Sequence, residues 1–545
     1  MLGLTQNEPL SLISIMEHAA RWHGPQEIVS RRVEDGAIER QTYAETLPRV
    51  AKLANALTRL GIKPGDRIAT MAWNTRRHVE VWYAAAGTGA VCHTLNPRLF
   101  AEQIEFIVND ARDRLLFIDL DIIKTIEPLL DKLPTLEAII VLTDRKHMPD
   151  VSDKSGKWFC YDDLISDERA TYEWLQLDND AAASSLCYTS GTTGAPKGVL
   201  YSHRGNILHA MATVQKDAMN LGSEDSVLMV VPMFHANAWG LTFALPMVGA
   251  KMVLPGPYLD GASVYELLER EAVTFSAAVP TVWSMLLEHV KATGAQFSTL
   301  KEVMIGGAAA PRAMIETFEK DYGVHVIHVW GMTEMSPLGT LNRPLGWRAK
   351  PATADAEIDR RCSQGRVLYG VDMKIVDDEG NDLPRDGEAV GRLMVRGPWI
   401  VERYFEAEET ALNDGWFDTG DVVAIDPDGF MHITDRAKDI IKSGGEWISS
   451  VEIENAAASH PDVALAACIG VAHPKWDERP LLLVKLCAGA IFDEDAIRAA
   501  IARLVAKWQV PEKIIEVSDI PLTATGKIDK KPLKTEYRDV YMRRA

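Results

Sequence analysis

Three times in the first 120 residues a stretch with helical patterning runs through a turn into a short apolar strand: ALTRLGIKPGDRIATMAWN (56–74), EVWYAAAGTGAVCHTL (80–95) and EFIVNDARDRLLFIDL (105–120). Helices that alternate with apolar strands bury both partners only as stacked layers, with the strands in a mostly parallel sheet. Residues 10–60 read as helix, turn and helix, opening on an amphipathic stretch with Leu10, Leu12, Ile13, Ile15 and Met16. At 545 residues the chain exceeds what one core supports, so several domains are expected.

The same texture continues through the middle of the chain. SVLMVVP (226–232) reads as a buried strand, VYELLEREAV (264–273) as a helix, and KEVMIGG (301–307) as a strand ending in glycines. A helix follows with Pro311 near its first turn and Gly323 at its end, and HVIHVW (325–330) then runs directly into another glycine. Two strands thus deliver Gly-rich loops to one sheet edge, and in open α/β sheets ligands bind at the carboxyl ends of strands. From about residue 365 the pattern changes to short strands with polar turns, in DMKIVDDEGNDLP, GRLMVRG and FMHITD, which reads as a smaller antiparallel region. TDRAKDIIKSGGEWIS (434–449) is polar, charged and glycine-bearing, the best linker in the chain. Beyond it Ser449 and Glu452 offer a capping box for a helix over 450–459. Strands ALAACIGV and LLLVKLC, a helix near 494–508 and strand KIIEV complete a compact α+β unit. The expected division is therefore 1–434 and 435–545.

The formal net charge of −19 argues against a nucleic-acid or anionic-membrane binder, which needs a positive face. It leaves room for a small anion in a local pocket. Cys92, Cys160, Cys187, Cys362, Cys468 and Cys487 are scattered, without a C-x-x-C pair or a nearby His at ligand spacing, so neither a disulfide framework nor a zinc site is expected. No apolar run approaches the ~18 residues of a membrane span, and the first residues lack a basic n-region and cleavage site. A cytoplasmic protein is expected.

YTSGTTGAPKG (188–198) is too rich in Gly, Thr and Pro for a helix or packed strand. It is not a Walker A loop: counted from Gly191, the second glycine position holds Pro196, and Gly198 stands where Ser or Thr should follow the lysine. Its chemistry is nonetheless that of a phosphate cradle. Glycines let successive backbone N–H groups converge on an anion, Thr189, Ser190, Thr192 and Thr193 add hydroxyl donors, and Lys197 adds a charge.

The loop closely resembles the phosphate loop of the adenylate-forming superfamily, which comprises acyl-CoA synthetases, peptide-synthetase adenylation domains and luciferases. Further motifs follow in that superfamily's order: WGMTE (330–334), WFDTGD (416–421), DRAKDIIKSGGEWIS (435–449) and PLTATGKIDK (521–530). Five ordered motifs across more than 300 residues exclude chance agreement. The resemblance implies a large layered N-terminal domain with mostly parallel sheets and a small β subdomain, hinged to a small α+β C-terminal domain. It also implies a reaction in which a carboxylic acid and ATP give acyl-AMP and pyrophosphate, after which coenzyme A forms the thioester. Bringing two anions together and expelling a third is an electrostatic task.

The resemblance assigns roles residue by residue. Ser190, Gly191, Thr192, Thr193, Gly194 and Lys197, with Thr189, would hold the β- and γ-phosphates. Gly307, Ala308, Trp330, Gly331, Met332 and Thr333 would line the nucleotide pocket, with Asp421 and Arg436 on the ribose. Glu334 would hold Mg²⁺, which favours carboxylate and phosphate oxygens. Trp330 departs from the tyrosine that many members carry there. Lys527 would bridge the substrate carboxylate and the α-phosphate as the main catalytic group, assisted by His235, Thr333 and Glu334. The acyl pocket would involve His235, Trp239, Gly306 and Trp330. MFHANAW (233–239) sets His235 and Trp239 four apart, on one face if helical. Asp435 would be the hinge about which the small domain turns, bringing Ser443, Gly444, Gly445, Glu446 and Trp447 toward CoA.

HVWGMTEMSPLG and HPKWDERPLLLVKL look most like the medium-chain acyl-CoA synthetase branch, which includes ligases for 3-(methylthio)propionate. A short aliphatic acid of that kind is the expected substrate, with a medium-chain fatty acid as the alternative. A catalytically silent nucleotide binder would not need Lys527, Glu334, Asp421 and Arg436 together. A γ-phosphoryl transferase would need the kinase motifs, which the chain lacks. Related synthetases are often dimers, so a homodimer is expected by analogy.

Overall fold

The apolar strands that the sequence interleaves with helices line up into two large sheets. The computed structural model describes all residues except 1–2, 151–156, 190–195, 347–352, 437–438, 444–445, 488, 524–527 and 543–545; for 354, 436, 446 and 447 it describes the backbone. The first sheet has seven strands in the order Trp158–Cys160, Ala138–Val141, Leu115–Ile118, Arg67–Met71, Val91–Thr94, Ala183–Tyr188 and Gly198–Ser202. All neighbours are parallel except the last, which folds back on Ala183–Tyr188. The second sheet has nine strands. Its six central ones, His325–Gly331, Glu302–Ile305, Phe275–Ala278, Ser226–Leu228, Lys251–Leu254 and Glu27–Arg31, are parallel, and antiparallel strands flank them on both sides.

Alternation of side chains explains how these sheets stack, because successive residues of a strand face opposite ways. In Leu115–Ile118, Leu115 and Phe117 join the largest apolar cluster while Leu116 and Ile118 join a second one. In Glu302–Ile305, Met304 joins that same large cluster and Val303 and Ile305 a third. The large cluster also takes in the helices Leu12–Trp22, Tyr43–Arg59, Arg76–Thr88 and Leu241–Val248, which are therefore sandwiched between the two sheets. Helices Gly261–Arg270 and Pro280–Thr293 cover the outer face of the nine-stranded sheet, and Ala101–Ala111 that of the other.

A five-stranded antiparallel sheet follows, built from Asp372–Val376, Val390–Arg396, Leu412–Asn413, Trp416–Ile425 and Met431–Arg436. Another five-stranded sheet occupies the last hundred residues, antiparallel except where Lys513–Glu516 runs parallel to Asp477–Leu486. Three expectations need correction. Between the two helices of residues 10–60 lies a hairpin, Glu27–Arg31 and Ile38–Thr42, whose polar second strand hid it. The stretch read as a linker is mostly strand: Met431–Arg436, Ile441–Ser443 and Glu446–Ile448. The helix near 494–508 stops at Ile501. No helix among the described residues is long and apolar enough to cross a membrane, and all six cysteines are free.

Candidate active site

Because the central strands of the nine-stranded sheet are parallel, the loops leaving Leu228, Ala278, Ile305 and Gly331 emerge at one edge. Gly307 and Ala308 are exposed there, directly beyond the buried strand Glu302–Ile305, and Gly331, Met332 and Thr333 are half-buried beside them. The phosphate-type loop comes from the other sheet. Strand Ala183–Tyr188 leads into Thr189, whose amide donates to the Lys197 carbonyl at 2.9 Å, and Tyr188 pairs with Gly198. The loop is thus pinched at its base; Ser190, Gly191, Thr192, Thr193 and Gly194 lie outside the described residues.

Asp421 is buried in strand Trp416–Ile425, and its Oδ2 accepts the indole N–H of Trp330 at 2.9 Å. That bond ties the tryptophan ring directly to the carboxylate expected on the ribose. The ring also packs over Gly339, where a Cβ would come within 2.6 Å of it. Arg436 pairs with Asp421 across the antiparallel ladder, so the backbone places both ribose candidates at one level.

Glu334 sits in the short turn Thr333–Met335, buried, with Oε1 accepting the Tyr404 hydroxyl at 2.9 Å. The turn is tied down from two sides: Tyr201 donates its hydroxyl to the Thr333 carbonyl at 2.7 Å, and the Val401 amide donates to the Glu334 carbonyl at 2.8 Å. Burial and the Glu334 carboxylate push the Tyr404 phenol well above its ordinary range, so it remains a hydrogen-bond donor. The Lys197 ammonium lies 4.8 Å from the centre of the Tyr404 ring. Sequence reading missed Tyr404; the one local signal was the aromatic content of Trp399 to Phe405, interrupted by Glu402 and Arg403 and without periodicity.

The turn carrying His235 and Trp239 overturns the helical expectation. Ala236, Asn237, Ala238 and Trp239 all have positive φ, from 37° to 61°, and Gly240 follows at 85°. His235 therefore precedes a left-handed turn in which Trp239 is the last non-glycine residue, and the two do not share the face of an ordinary helix. Left-handed backbone costs L-residues about 1–2 kcal/mol each, so tertiary contacts must hold it. Asn237 donates to Asn206 Oδ1 at 2.9 Å, and Asn206 donates in turn to the Ser184 and Ser185 hydroxyls. Upstream, Asn74 donates to the Met229 and Val231 carbonyls and accepts the Met233 amide, fixing the approach to His235. The Trp239 ring closes over the glycine strand end: a Cβ on Gly306 would lie 3.0 Å from it.

Gly240 touches this arrangement at its tightest point. A Cβ there would lie 2.7 Å from the His209 ring, which is buried, held neutral with its pKa pushed down to about 3 by burial, and accepts the Leu338 amide through Nε2. Gly240→Ala is expected to lower stability by about 2–4 kcal/mol, combining left-handed strain with overpacking. A melting temperature unchanged from wild type would contradict this account.

At the hinge candidate, Asp435 is buried and its Oδ2 accepts both the amide and the hydroxyl of Ser450 at 2.6 Å. Lys530 donates to the Ser450 hydroxyl and pairs with Glu454 at 2.9 Å. Ser443 is buried, with its hydroxyl accepting from Arg479 at 3.1 Å. Gly444, Gly445 and Lys527 lie outside the described residues; Glu446 and Trp447 form one arm of a hairpin with Ile441–Ser443. Among the described residues no three or more His, Cys, Asp or Glu side chains converge as a metal cage. A single buried carboxylate beside a phosphate-type loop still suits Mg²⁺, which takes one or two carboxylates and completes its shell with phosphate and water.

Residues 16–405 match the family described as AMP-binding enzyme, and residues 452–527 match the AMP-binding enzyme C-terminal domain. The chain is 48% identical to the 3-methylmercaptopropionyl-CoA ligase of Ruegeria lacuscaerulensis over 540 residues, 99% of each chain. It is 47% identical to the medium-chain-fatty-acid–CoA ligase of Ectopseudomonas oleovorans, covering 100% of this chain and 99% of that one. Among solved structures it superposes on the anthranilate CoA ligase AuaEII in complex with anthranoyl-AMP with a TM-score of 0.85. That likeness is at 26% identity and covers 98% and 99% of the two chains.

Proposed function

The chain belongs to the AMP-binding enzyme family, and from that premise we propose that it is an ATP-dependent acid–CoA ligase. What carries this reading is a likeness to CoA ligases that runs the whole length of the chain. In the first half-reaction the acid's carboxylate attacks the α-phosphorus, a P–O bond forms, and pyrophosphate leaves with the electron pair. In the second, the CoA thiol attacks the acyl carbonyl, loses its proton, and AMP departs. The pinched loop of 189–197 holds the outer phosphates, Asp421 and Arg436 take the ribose, and Gly307 to Met332 line the base. Glu334 would hold Mg²⁺, which would neutralise charge on the phosphates. His235, Trp239 and Gly306 border the acid, Lys527 steadies the negative charge that develops during adenylation, and Ser443 to Trp447 meet CoA after the small domain turns about Asp435.

The same reading divides the chain at 434/435. It is supported by the packing: among the described residues no apolar cluster draws on both sides of that boundary, those of the first part reaching no further than Ile433 and the two of the second part beginning at Ile441. A cytoplasmic setting and a homodimer complete the proposal, the first in keeping with six free thiols.

The substrate we favour is a short aliphatic acid such as 3-(methylthio)propionate, with medium-chain fatty acids as the alternative. The test is AMP formation with ATP, Mg²⁺ and CoA across acids from propionate through 3-(methylthio)propionate to dodecanoate, with benzoate included. An optimum at the small thioether supports the first choice, a peak at C8–C12 selects the second, and absence of AMP with every acid sinks the ligase reading. Since the Trp239 ring closes over Gly306, Trp239→Ala should favour longer acids. The kcat/KM ratio of decanoate to 3-(methylthio)propionate should rise at least ~10-fold, the worth of one or two methylenes in a hydrophobic pocket. An unchanged ratio would remove Trp239 from the acyl pocket.

A further inference from the structure

The segment between Trp399 and Phe405 is stitched to both sheets at once. The Phe405 amide donates to the Gly198 carbonyl at 2.8 Å, at the exit of the phosphate-type loop. The Val401 amide donates to the Glu334 carbonyl at 2.8 Å, and Ser336 donates its hydroxyl to the Trp399 carbonyl at 2.8 Å. Gly198 belongs to the seven-stranded sheet, whereas Glu334 and Ser336 follow the nine-stranded sheet's strand His325–Gly331. A Cβ on Gly198 would lie 2.9 Å from the Phe405 Cβ, so this glycine is required by the close approach of the segment.

Tyr404 projects from that segment onto both charged groups. Its hydroxyl donates to Glu334 Oε1 at 2.9 Å, and the Lys197 ammonium sits 4.8 Å from its ring centre. We propose that Tyr404 is a positioning residue for ATP and its magnesium ion: the hydroxyl orients the Glu334 carboxylate while the ring face seats the Lys197 ammonium. One side chain, anchored to both sheets, thereby sets the spacing between the anionic group that meets the metal and the cationic group that meets the phosphates. With one Glu334 oxygen taken by the phenol, the carboxylate is oriented for its other partners before the nucleotide arrives. The proposal rests on the reading of Glu334 and Lys197 as ATP-facing groups.

The two contacts separate by substitution. Tyr404→Phe deletes the hydroxyl and keeps the ring, whereas Tyr404→Leu deletes both. The full chain, without acid or CoA, would be titrated calorimetrically with ATP plus Mg²⁺, with ATP plus a chelator, and with AMP. In Tyr404→Phe the gain in ATP affinity supplied by Mg²⁺ is expected to shrink about 10-fold, the scale of one hydrogen bond to a charged group, with metal-free ATP binding within about twofold of wild type. Tyr404→Leu should in addition weaken metal-free ATP about threefold through loss of the cation–π contact. AMP, which lacks the outer phosphates, should bind alike in all three and so also reports folding. The proposal is overturned if the Mg²⁺ gain in Tyr404→Phe matches wild type, if AMP affinity falls in parallel with ATP affinity, or if Mg²⁺ adds nothing to ATP affinity in wild type. Failure of the ligase reading shows separately, as a wild type that binds ATP but forms no AMP with any acid.

Discussion

Lys527→Ala is expected to slow acyl-AMP formation by about 10²–10⁴-fold, the range for losing a well-placed charge stabiliser. Conversion of supplied acyl-AMP to thioester should fall far less. The asymmetry follows from the charges: adenylation brings a carboxylate onto a phosphate, whereas thiol attack on acyl-AMP adds no such repulsion. The surrounding structure makes compensation by a neighbour unlike what a basic tail would offer. Lys530 is largely enclosed against Glu454 and Ser450; desolvation alone would lower its pKa, but Glu454 and Asp435 raise it and keep it paired. Lys534 is bound to Asp439 at 3.0 Å. Flanking residue 527, Leu522 bridges Ile528 and the Asp529 amide donates to the Pro521 carbonyl at 2.8 Å, closing the base of the motif's loop. Pyrophosphate release and thioester formation, each followed in a single turnover, test the prediction. Equal loss in both steps would remove Lys527 from its assigned role.

Asp421→Ala is expected to weaken AMP and ATP together by about 10²-fold or more. Two charge-assisted bonds to a diol at about 1.5–3 kcal/mol each set that scale. The substitution also strips the buried Trp330 indole of its acceptor, so part of the loss is local. Asp421→Asn keeps an acceptor for Trp330 and should fall between the two. Pyrophosphate binding should be unaffected, because the carboxylate is assigned to the ribose alone. An AMP dissociation constant within threefold of wild type in Asp421→Ala would sink the ribose assignment.

The layered α/β architecture was legible because periodicity changes along the chain at every helix–strand junction, and the burial of Leu115 to Ile118 on both faces follows from that run of apolar residues. The motif residues were legible by resemblance, which carries chemistry but no geometry. What stayed hidden depends on contacts between distant positions. Tyr404 acts on Glu334 across 70 positions of chain, and no local pattern announces such a pairing. The left-handed turn contains no glycine until Gly240; Ala, Asn, Ala and Trp would ordinarily read as a helix, and tertiary contacts such as the Asn237–Asn206 bond and the Thr242 hydroxyl on the Asn237 carbonyl keep them otherwise. The strands inside 434–449 were concealed by charge, since polar residues at a sheet margin look like a linker.

The hairpin of Glu27–Arg31 and Ile38–Thr42 constrains how this molecule is made on the ribosome. Its partner in the nine-stranded sheet is Lys251–Leu254, whereas the seven-stranded sheet is finished at Ser202. The hairpin therefore waits while roughly 210 further residues are synthesised, some 10–45 s at ordinary elongation rates. Throughout that interval Ile28 and Val29, both fully buried in the finished protein, have no sheet to enter. Slower synthesis between residues 42 and 254 then prolongs the exposure of these two side chains, a cost that the final stability of the fold does not report.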